Sequence, residues 1–488
     1  MGLSSSFRRG SAAALVLAAS ASLLGAEMPG AQEIPLPPSP SEPAPLTPPP
    51  PPPPRVVNIP DRILQPGATL TLAEILDLAL RNNPVTRLSY LQARAAAAQL
   101  GAKRAPYLPS VDLTATASRA ATASSTQDGT PTTSYGPALT LSYLLFDLGG
   151  RAANAEDARQ ALLAADWSHN AAIQNVVLAV QQTLVQYLGI KAQLAAAHAN
   201  VLQAKTALEA ATVRHDAGVA TIAEVLQART ALSQAELVET TLAGQALVTR
   251  GALATAMGLP ANTPYDVGTL PAEVPLDRAS EAVEALIERA RAERPDLLAA
   301  RALAAKAAAH VTAVRSEGLP TVSLSAGANR YAFDVGNPGD PVERDSWSAR
   351  LLLSYPLFTG FANRFNLEKA KEEKALAEAQ VTSLEQQATL QVWSSATALT
   401  TAAQLVRTSR DLLASAEQSE KVALGRYREG VGTILDLLNA QAALANARAA
   451  EIQARAVWFS ALAQLSRDTG SSEATLQTTA ITVEKREP

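Results

Sequence analysis

Residues 141–151 read LSYLLFDLGGR, and residues 353–364 read LSYPLFTGFANR. Each segment ends a run in which apolar and polar residues alternate with a period of two, which is typical of a strand with one apolar face. The residues that follow, 150–216 and 363–429, contain no proline. Each therefore predicts one very long helix, which could reach roughly 100 Å at the usual rise per residue.

The rest of the chain shows the same order of features twice. On either side of these segments, Asn83-Pro84 recurs as Arg294-Pro295, Leu108-Pro109 as Leu319-Pro320, and Gly218 as Gly430. A period of more than two hundred residues is far too long for one unit of a solenoid. The pattern predicts a duplicated domain, with a first structural repeat at 72–258, a second at 259–470 and a C-terminal tail at 471–488.

Each repeat predicts two strands and one helical hairpin. The strands are predicted at 110–118 and 138–146 in the first repeat, and at 321–329 and 347–355 in the second, with long polar loops at 119–137 and 330–346. The hairpins are predicted at 150–257 and 363–467, because Gly218 and Gly430 stop the long helices just before a second helical pattern. Near-heptad spacing of apolar and small residues favours coiled-coil packing.

The N-terminus predicts export. Residues 1–31 have a basic start at Arg8 and Arg9 and an apolar stretch at 12–24 that is too short to span a bilayer, which is typical of a signal peptide. A buried N-terminal helix is the alternative. Residues 32–71 form a proline-rich linker, for which we expect extended polyproline II. A passive spacer, a segment that lies along the folded body and a proline ligand for a partner remain alternatives for it.

The composition excludes several classes of function. The chain of 488 residues has no cysteine, which excludes disulfides, thiolate metal sites, thiol nucleophiles and a lipidated N-terminal cysteine. The net charge of −4 offers no basic field for nucleic acid. The four histidines, His169, His198, His215 and His310, lack metal-ligand spacing and are interpreted as incidental. We expect no enzyme activity, no metal and no cofactor.

The predicted strands have the properties of membrane strands. A strand that crosses a bilayer needs about 9–11 residues with alternating faces, and aromatic residues at the interfaces. Residues 107–146 and 320–361 make up 82 of the 488 residues but hold 10 of the 20 aromatic ones. An ordinary sheet packed against helices is the alternative. A membrane sheet must close on itself and needs about eight strands or more, so four per chain predict a shared barrel, either a dimer of eight or a trimer of twelve.

The ordered double set of motifs resembles the TolC family of outer membrane efflux proteins. The residues that carry the resemblance are NNP (82–84), LP (108–109), LSYLLFDLGGR (141–151), RHDAGVATIAEVLQAR (214–229), RP (294–295), LP (319–320), LSYPLFTGFANR (353–364) and RYREGVGTILDLLNAQ (426–441). The resemblance implies a mostly α protein with membrane β: a homotrimer with a 12-stranded β-barrel in the outer membrane, continued into the periplasm by a long α-helical barrel. An equatorial α/β region would be built from about 259–293 and the chain ends.

The same resemblance implies a passive exit duct. Its partners would be a periplasmic adaptor protein and an inner-membrane pump or secretion ATPase. The adaptor would dock at the hairpin tips, which are Gly218, Val219, Ala220 and Thr221 in the first repeat and Gly430, Val431, Gly432 and Thr433 in the second. Small residues there would let a partner backbone approach closely, although ordinary turn chemistry explains them as well.

The resemblance also implies a periplasmic gate near the tips. Asp436 matches an acidic position of the family, and Asn439 stands where the best-known members have a second acid. Glu224 is the equivalent of Asp436 in the first repeat, and Tyr427 matches a tyrosine that can bond toward it. A ring of carboxylates in a constriction favours cations. The alternative is that both acids lie at helix N-termini, where a negative charge is favourable in any helix.

Two rival functions stay open at this point. A soluble periplasmic coiled-coil adaptor or scaffold would explain the helices, but it would not explain paired amphipathic strands and clustered aromatic residues in both halves. An exported enzyme would need a clustered set of acids, bases or nucleophiles, which the sequence does not offer.

Overall fold

The computed structural model describes residues 69–121, 132–275, 282–335 and 342–471. The described residues fall into two compact units. We call residues 95–162 and 303–377 the sheet unit, and residues 69–94, 163–302 and 378–471 the helical unit. The predicted signal peptide and most of the predicted linker and tail lie outside the described residues, but the end of the linker, Thr69–Leu70, is a short strand.

The elements of the two halves follow the same order. The first half contains β1 (Thr69–Leu70), α1 (Leu72–Asn82), α2 (Pro84–Arg104), β2 (Ser110–Ala120), β3 (Thr132–Phe146), α3 (Gly150–Asp216) and α4 (Ile222–Ala256). The second half contains β4 (Asp266–Val267), α5 (Val283–Glu293), α6 (Pro295–Glu317), β5 (Thr321–Val335), β6 (Val342–Ser354), α7 (Ala362–Arg428) and α8 (Ile434–Asp468). Helices α3 and α7 have 67 residues each, and α4 and α8 have 35 each, so the repeat is visible in the element lengths.

The sequence explains where several helices begin. Thr71 and Glu74 form a capping box at the start of α1, in which Thr71 N donates to Glu74 Oε2 at 2.8 Å. Pro84 and Pro295 are the first residues of α2 and α6, a position where the missing proline N–H costs nothing. The two prolines therefore separate α1 from α2 and α5 from α6 at equivalent places in the two repeats.

The sheet unit holds one antiparallel sheet with the strand order β2-β3-β5-β6. Directly opposed residues of such a sheet share a face. The register aligns the apolar positions of all four strands into rows across the sheet. One row contains Leu113, Leu139, Ala328 and Trp347. The next row on the same face contains Val111, Leu141, Ala326 and Ala349. The row between them is Asp112, Thr140, Gly327 and Ser348. One face of the sheet is therefore apolar and the other is polar.

Three strands are much longer than predicted, and the predicted loops are correspondingly shorter. The structure has Thr132–Phe146 in place of 138–146, Thr321–Val335 in place of 321–329, and Val342–Ser354 in place of 347–355, while Ser110–Ala120 exceeds 110–118 by two residues. In the added segments, polar residues such as Thr, Ser, Arg and Glu continue the backbone pairing on both strands of each hairpin. Gly136 and Pro137 belong to the predicted loop at 119–137, yet they lie inside β3, where a Cβ on Gly136 would collide with Arg330 O.

The two outer strands of the sheet, β2 and β6, each have one edge without a partner strand among the described residues. Helix α6 is long and apolar enough to cross a membrane by length and composition. It is an alanine-rich helix, PDLLAARALAAKAAAHVTAVRSE, with nine alanines among its 23 residues.

The helical unit has an apolar core that includes Trp458, Leu253, Met257 and Val180, all of them inaccessible to solvent. β1 pairs with β4 in parallel, which brings the N-terminal end of the described chain to the connection between the repeats. Basic side chains of the long helices then bind this connection. Lys191 Nζ donates to Val267 O at 2.9 Å, Arg455 Nη1 to Pro271 O at 3.0 Å and Arg410 Nη2 to Ala272 O at 3.1 Å.

Candidate functional site: the two hairpin tips

Both hairpin tips are five-residue links with the same backbone geometry. In the first tip, Val219 N donates to Arg214 O at 3.0 Å and Gly218 N to His215 O at 2.8 Å. In the second, Val431 N donates to Arg426 O at 3.0 Å. This pattern is the Schellman motif, which requires a left-handed residue after the helix. Gly218 and Gly430 supply it with φ angles of 73° and 76°.

A threonine, Thr221 or Thr433, is the N-cap residue of the next helix in both tips, and the two predicted gate acids complete the cap. Thr433 N donates to Asp436 Oδ2 at 3.3 Å, and Asp436 N donates to Thr433 Oγ1 at 3.2 Å. In the first tip, Thr221 N donates to Glu224 Oε1 over a longer 3.5 Å. Asp436 and Glu224 are therefore third residues of their helices, where a carboxylate satisfies free N–H groups and interacts favourably with the helix dipole.

Capping also fixes the charge of Asp436. The hydrogen bonds from Thr433, first from its side chain and then from its backbone, lower the pKa of Asp436 below its ordinary value, and Arg426 contributes in the same direction. Asp436 is fully exposed to solvent on the described chain. The second tip thus presents an ionised carboxylate at neutral pH that is held in place at the beginning of α8.

The second tip is the tighter of the two. Gly432 N donates to Arg426 O at 3.0 Å, and a Cβ on Gly432 would lie 3.0 Å from Arg426 Cβ and 3.1 Å from Tyr427 N. The equivalent residue of the first tip is Ala220, which has a Cβ and whose carbonyl oxygen accepts a hydrogen bond from His215 Nδ1 at 3.1 Å. The two tips share a fold but differ in how closely the link lies on its helix.

Each tip also presents an apolar side chain to solvent. Val219 and Val431 follow the left-handed glycines and are about two-thirds exposed. Ile222 and Leu435, at the start of α4 and α8, are exposed as well. All eight predicted docking residues therefore lie in two links of known geometry, each with an outward-facing valine at its centre.

Tyr427 is buried and contacts the first hairpin. The guanidinium of Arg214 lies over its ring at 4.9 Å, and Arg214 Nη1 donates to Tyr427 O at 3.3 Å. Tyr427 Oη is buried and has no hydrogen-bond partner among the described residues, so the expected bond toward Glu224 is not formed. The reason is that the Glu224 carboxylate turns back to cap its own helix. Burial raises the pKa of Tyr427; Arg214 opposes this rise and Glu224 adds to it.

A cleft of about 960 Å³ runs along the second hairpin between α7 and α8. Asp436, Asn439 and Gly432 line it, together with Ala414, Ser415, Gln418, Ser419, Val422, Ala423, Arg426, Ala440 and Ala443. The structure therefore brings two of the predicted gate residues into one cleft. Glu224 and Tyr427 lie outside it.

Arg214 is the contact residue that was not predicted from the sequence. A usable signal existed, because Arg214 and Arg426 stand at equivalent places in the two repeats, four residues before the left-handed glycines. The role of Arg214 depends on packing between hairpins, however, which no spacing along one helix reveals. Among the residues that the structure describes, no three His, Asp or Glu side chains form a metal-binding group.

Comparisons with known proteins agree with this architecture. The sequence model of the outer membrane efflux protein family matches residues 75–259 and 286–471. Protein CyaE of Bordetella pertussis is 31% identical over 424 residues, which cover 82% of this chain and 85% of that protein. Outer membrane protein OprJ of Pseudomonas aeruginosa is 29% identical, over 76% of this chain and 78% of that protein. A crystal structure of a membrane protein from Pseudomonas aeruginosa superposes with a TM-score of 0.72 at 27% identity, over 82% of this chain and 90% of that one.

Proposed function

The chain belongs to the outer membrane efflux protein family, and from this membership we propose that it forms a trimeric duct whose hairpin tips are both its periplasmic gate and the docking place of an adaptor protein. The chain is an exit channel of the outer membrane that extends into the periplasm.

The sheet is the observation that carries the proposal. It has one continuous apolar face, one polar face and two edges without a partner strand in the described chain. A sheet in lipid cannot leave its edges unpaired, because each unsatisfied backbone group costs several kcal/mol there. Pairing β6 of one subunit with β2 of the next would satisfy both edges. Three subunits would then give twelve strands, with the apolar face toward lipid and the polar face toward the lumen.

The tips have the properties of a docking surface. Both present an exposed valine on a link that is fixed by a Schellman motif on one side and a capping box on the other. A preorganised link costs little entropy when a partner binds it. The partner we propose is a periplasmic adaptor with helical hairpins, because short links with small side chains allow close helix-to-helix approach.

The gate we propose is centred on Asp436. Its carboxylate is ionised and fixed by the cap, and it shares a cleft with Asn439. Threefold symmetry would bring three such carboxylates to one level of the duct. Like charges that are crowded together repel each other and attract cations, so the ring would favour cations at the constriction. An adaptor that binds the tips would then separate the hairpins and widen the duct toward an inner-membrane exporter.

A photo-cross-linking experiment tests the docking proposal. Benzophenone side chains are placed at Val219, at Val431 and, as a control on α7 away from the tips, at Leu412, which is also exposed. We expect cross-links to a periplasmic adaptor from both valines in intact cells and none from Leu412. Cross-links from Leu412 alone, or from none of the three while export continues, would contradict docking at the tips.

The rival of a soluble adaptor or scaffold is tested separately. The mature protein should partition into the outer membrane fraction and require detergent for extraction. A mature chain that remains monomeric and soluble in a periplasmic extract would contradict the trimeric duct, whatever the tips bind.

A further inference from the structure

An arginine on the apolar face of the sheet has two carboxylate partners. Arg330 lies opposite Asp345, and the two residues continue the face that contains Ala328 and Trp347. The guanidinium of Arg330 donates to the carboxylate of Glu343, and its Nε lies 3.6 Å from Asp345 Oδ1. The charge of this arginine is therefore compensated on the face that we expect to meet lipid.

Two arginines on the polar face of β6 have no such compensation. Arg344 and Arg350 alternate along the strand with residues of the apolar face such as Trp347, so they share the polar face with Ser346 and Ser348. Both arginines are exposed. Neither forms an ion pair or a hydrogen bond with any other residue that the structure describes. The polar face therefore carries two free guanidinium groups on one strand.

Among the described strand residues, the polar face offers one acid, which lies far from these arginines. Asp112 of β2 belongs to the row that contains Thr140, Gly327 and Ser348. Three spacings between strands separate Asp112 from β6, which is about 14 Å in all. Two cations against one anion leave a net charge of +1 on this face of each chain. Salt screens exposed charges over about 10 Å, so Asp112 compensates the two arginines only weakly.

We propose that Arg344 and Arg350 make the outer part of the duct favour anionic cargo that carries carboxylate or phosphate groups. The inference rests on the proposed function, because it takes the polar face of the sheet as the wall of a closed lumen, and it deepens that function by naming a class of cargo. Threefold symmetry would place each arginine in a ring of three. Rings of basic side chains select anions in pores, and the planar guanidinium group binds carboxylates and phosphates in a bidentate manner.

The internal repeat indicates that a neighbouring subunit leaves Arg350 uncompensated as well. Pairing of β6 with β2 of the next subunit would join a second-repeat hairpin to a first-repeat hairpin, as the pairing of β3 with β5 does within the chain. Transferring the β3–β5 register to these strands puts Ser354 opposite Thr114 of the partner subunit. Arg350 then lies opposite Ser118 of the partner subunit, about 20 Å along the strand from the partner subunit's Asp112.

A single thiol beside the arginines measures the sign of the local potential. The chain has no cysteine, so Ser348→Cys introduces a unique thiol two residues from Arg350 on the polar face. Trimers in vesicles react with methanethiosulfonates that carry either a sulfonate or a trimethylammonium group. The measured quantity is the rate with the anionic reagent divided by the rate with the cationic one, normalised to the same ratio for 2-mercaptoethanol. Any effect of the arginines on ionisation of the thiol changes both rates alike and cancels.

We expect a normalised ratio well above one in the parent background. One positive charge about 7 Å away in water accelerates an anion about threefold and slows a cation about as much. Arg350→Gln should return the ratio toward one, and adding Arg344→Gln should complete the change. Arg350→Lys keeps the charge and should keep the ratio. Arg229→Gln removes an exposed arginine of α4, outside the sheet, and serves as the matched control with an unchanged ratio.

The remaining outcomes separate the anion preference from the channel itself. Rapid reaction of the Ser348→Cys thiol with a normalised ratio at or below one would overturn the anion preference and leave the water-filled duct intact. A high ratio that survives Arg344→Gln and Arg350→Gln together would also overturn it, because another group would then create the potential. Failure of the thiol to react with either reagent would contradict a water-filled lumen on this face, and with it the proposed function.

Discussion

Arg214 at the end of the first long helix covers the ring of Tyr427 at the end of the second, with the guanidinium carbon 4.9 Å from the ring centroid. Arg214 also donates to the carbonyl oxygen of Tyr427 at 3.3 Å. The two residues join the hairpins of the two repeats within a few residues of their tips. Tyr427 packs on Ile434 and Leu437 of its own hairpin, so Arg214 binds a residue that is already fixed in place.

This geometry predicts that the ring of Tyr427 matters and its hydroxyl does not. Tyr427→Phe should leave the trimer equally stable or stabilise it by about 1 kcal/mol, because a buried hydroxyl without a partner is costly. Conductance in planar bilayers should stay at the parent value. A strong rise in leak conductance in Tyr427→Phe would show that the hydroxyl holds the closed state through a bond absent from this conformation.

Arg214→Ala should have the opposite effect at the same contact. A partly desolvated cation over an aromatic ring contributes about 1–2 kcal/mol, and the bond to Tyr427 O is lost with it. We expect a higher leak conductance and sensitivity to large antibiotics that enter through an open duct. Arg229→Ala, on an exposed part of α4, is a suitable control because Arg229 is exposed. Equal leak in both variants would exclude the contact from the gate.

The two roles of Asp436 are separated by two substitutions. Asp436→Asn removes the charge but keeps an oxygen that can accept from Thr433 N, whereas Asp436→Ala removes both. If three carboxylates attract cations at the constriction, then both variants should lose block by divalent cations in planar bilayers. Only Asp436→Ala should also loosen the start of α8, with faster amide exchange at Ile434–Leu437. Unchanged cation block in both variants would leave Asp436 as a capping residue alone.

The architecture was largely predictable because it is encoded in local patterns. The alternation in 110–118 and 347–355, the absence of proline from 150–216 and 363–429, and the left-handed glycines Gly218 and Gly430 are all signals of a few residues or of one element. The outer ends of the strands were missed because Thr, Ser, Arg and Glu in them lack the apolar alternation that marks a half-buried strand. Their pairing is visible only when two strands lie side by side.

The details of the site were less predictable than its place. The tips could be located from a glycine and a threonine at fixed spacing, but the direction of the Glu224 carboxylate depends on a choice between Thr221 N and the hydroxyl of Tyr427. Thr221 N lies at the N-terminus of the helix that carries Glu224, and the helix dipole favours a carboxylate there. Contacts between hairpins, such as that of Arg214 with Tyr427, join residues more than two hundred positions apart and leave no periodic signal.

Because the second tip is the tighter one, adding a methyl group to its link should destabilise the protein, whereas removing one from the link of the first tip should not. Gly432→Ala places a Cβ 3.0 Å from Arg426 Cβ and 3.1 Å from the backbone of Tyr427. Such overpacking costs about 1–3 kcal/mol. Ala220→Gly, the reverse change at the equivalent place of the first tip, should be nearly neutral. The effect of each variant is measured by thermal unfolding of the trimer and by the yield of cross-links from Val431. Equal effects of the two variants would contradict the difference between the tips.

Asp166 predicts a dependence of stability on pH that is unrelated to the gate. Asp166 is 6% exposed, its Oδ1 has no hydrogen-bond partner among the residues that the structure describes, and burial raises its pKa from an ordinary 3.8 to about 7. Between these two values the folded protein holds a proton that the unfolded chain releases. Stability is therefore lost as pH rises from about 4 to about 7, and the full loss remains at higher pH.

Asp166→Asn removes this titration without removing the shape of the side chain. One pKa unit corresponds to about 1.4 kcal/mol, so the variant should be more stable than the parent at pH 8 by at most about 4 kcal/mol and nearly equal to it at pH 4. Melting of the detergent-solubilised trimer at a series of pH values measures the difference. Asp411→Asn, at an exposed position of α7, should shift Tm equally little at every pH. A gain from Asp166→Asn that is the same at pH 4 and pH 8 would show that the carboxyl is charged throughout, and that water or a neighbouring subunit solvates it in the trimer.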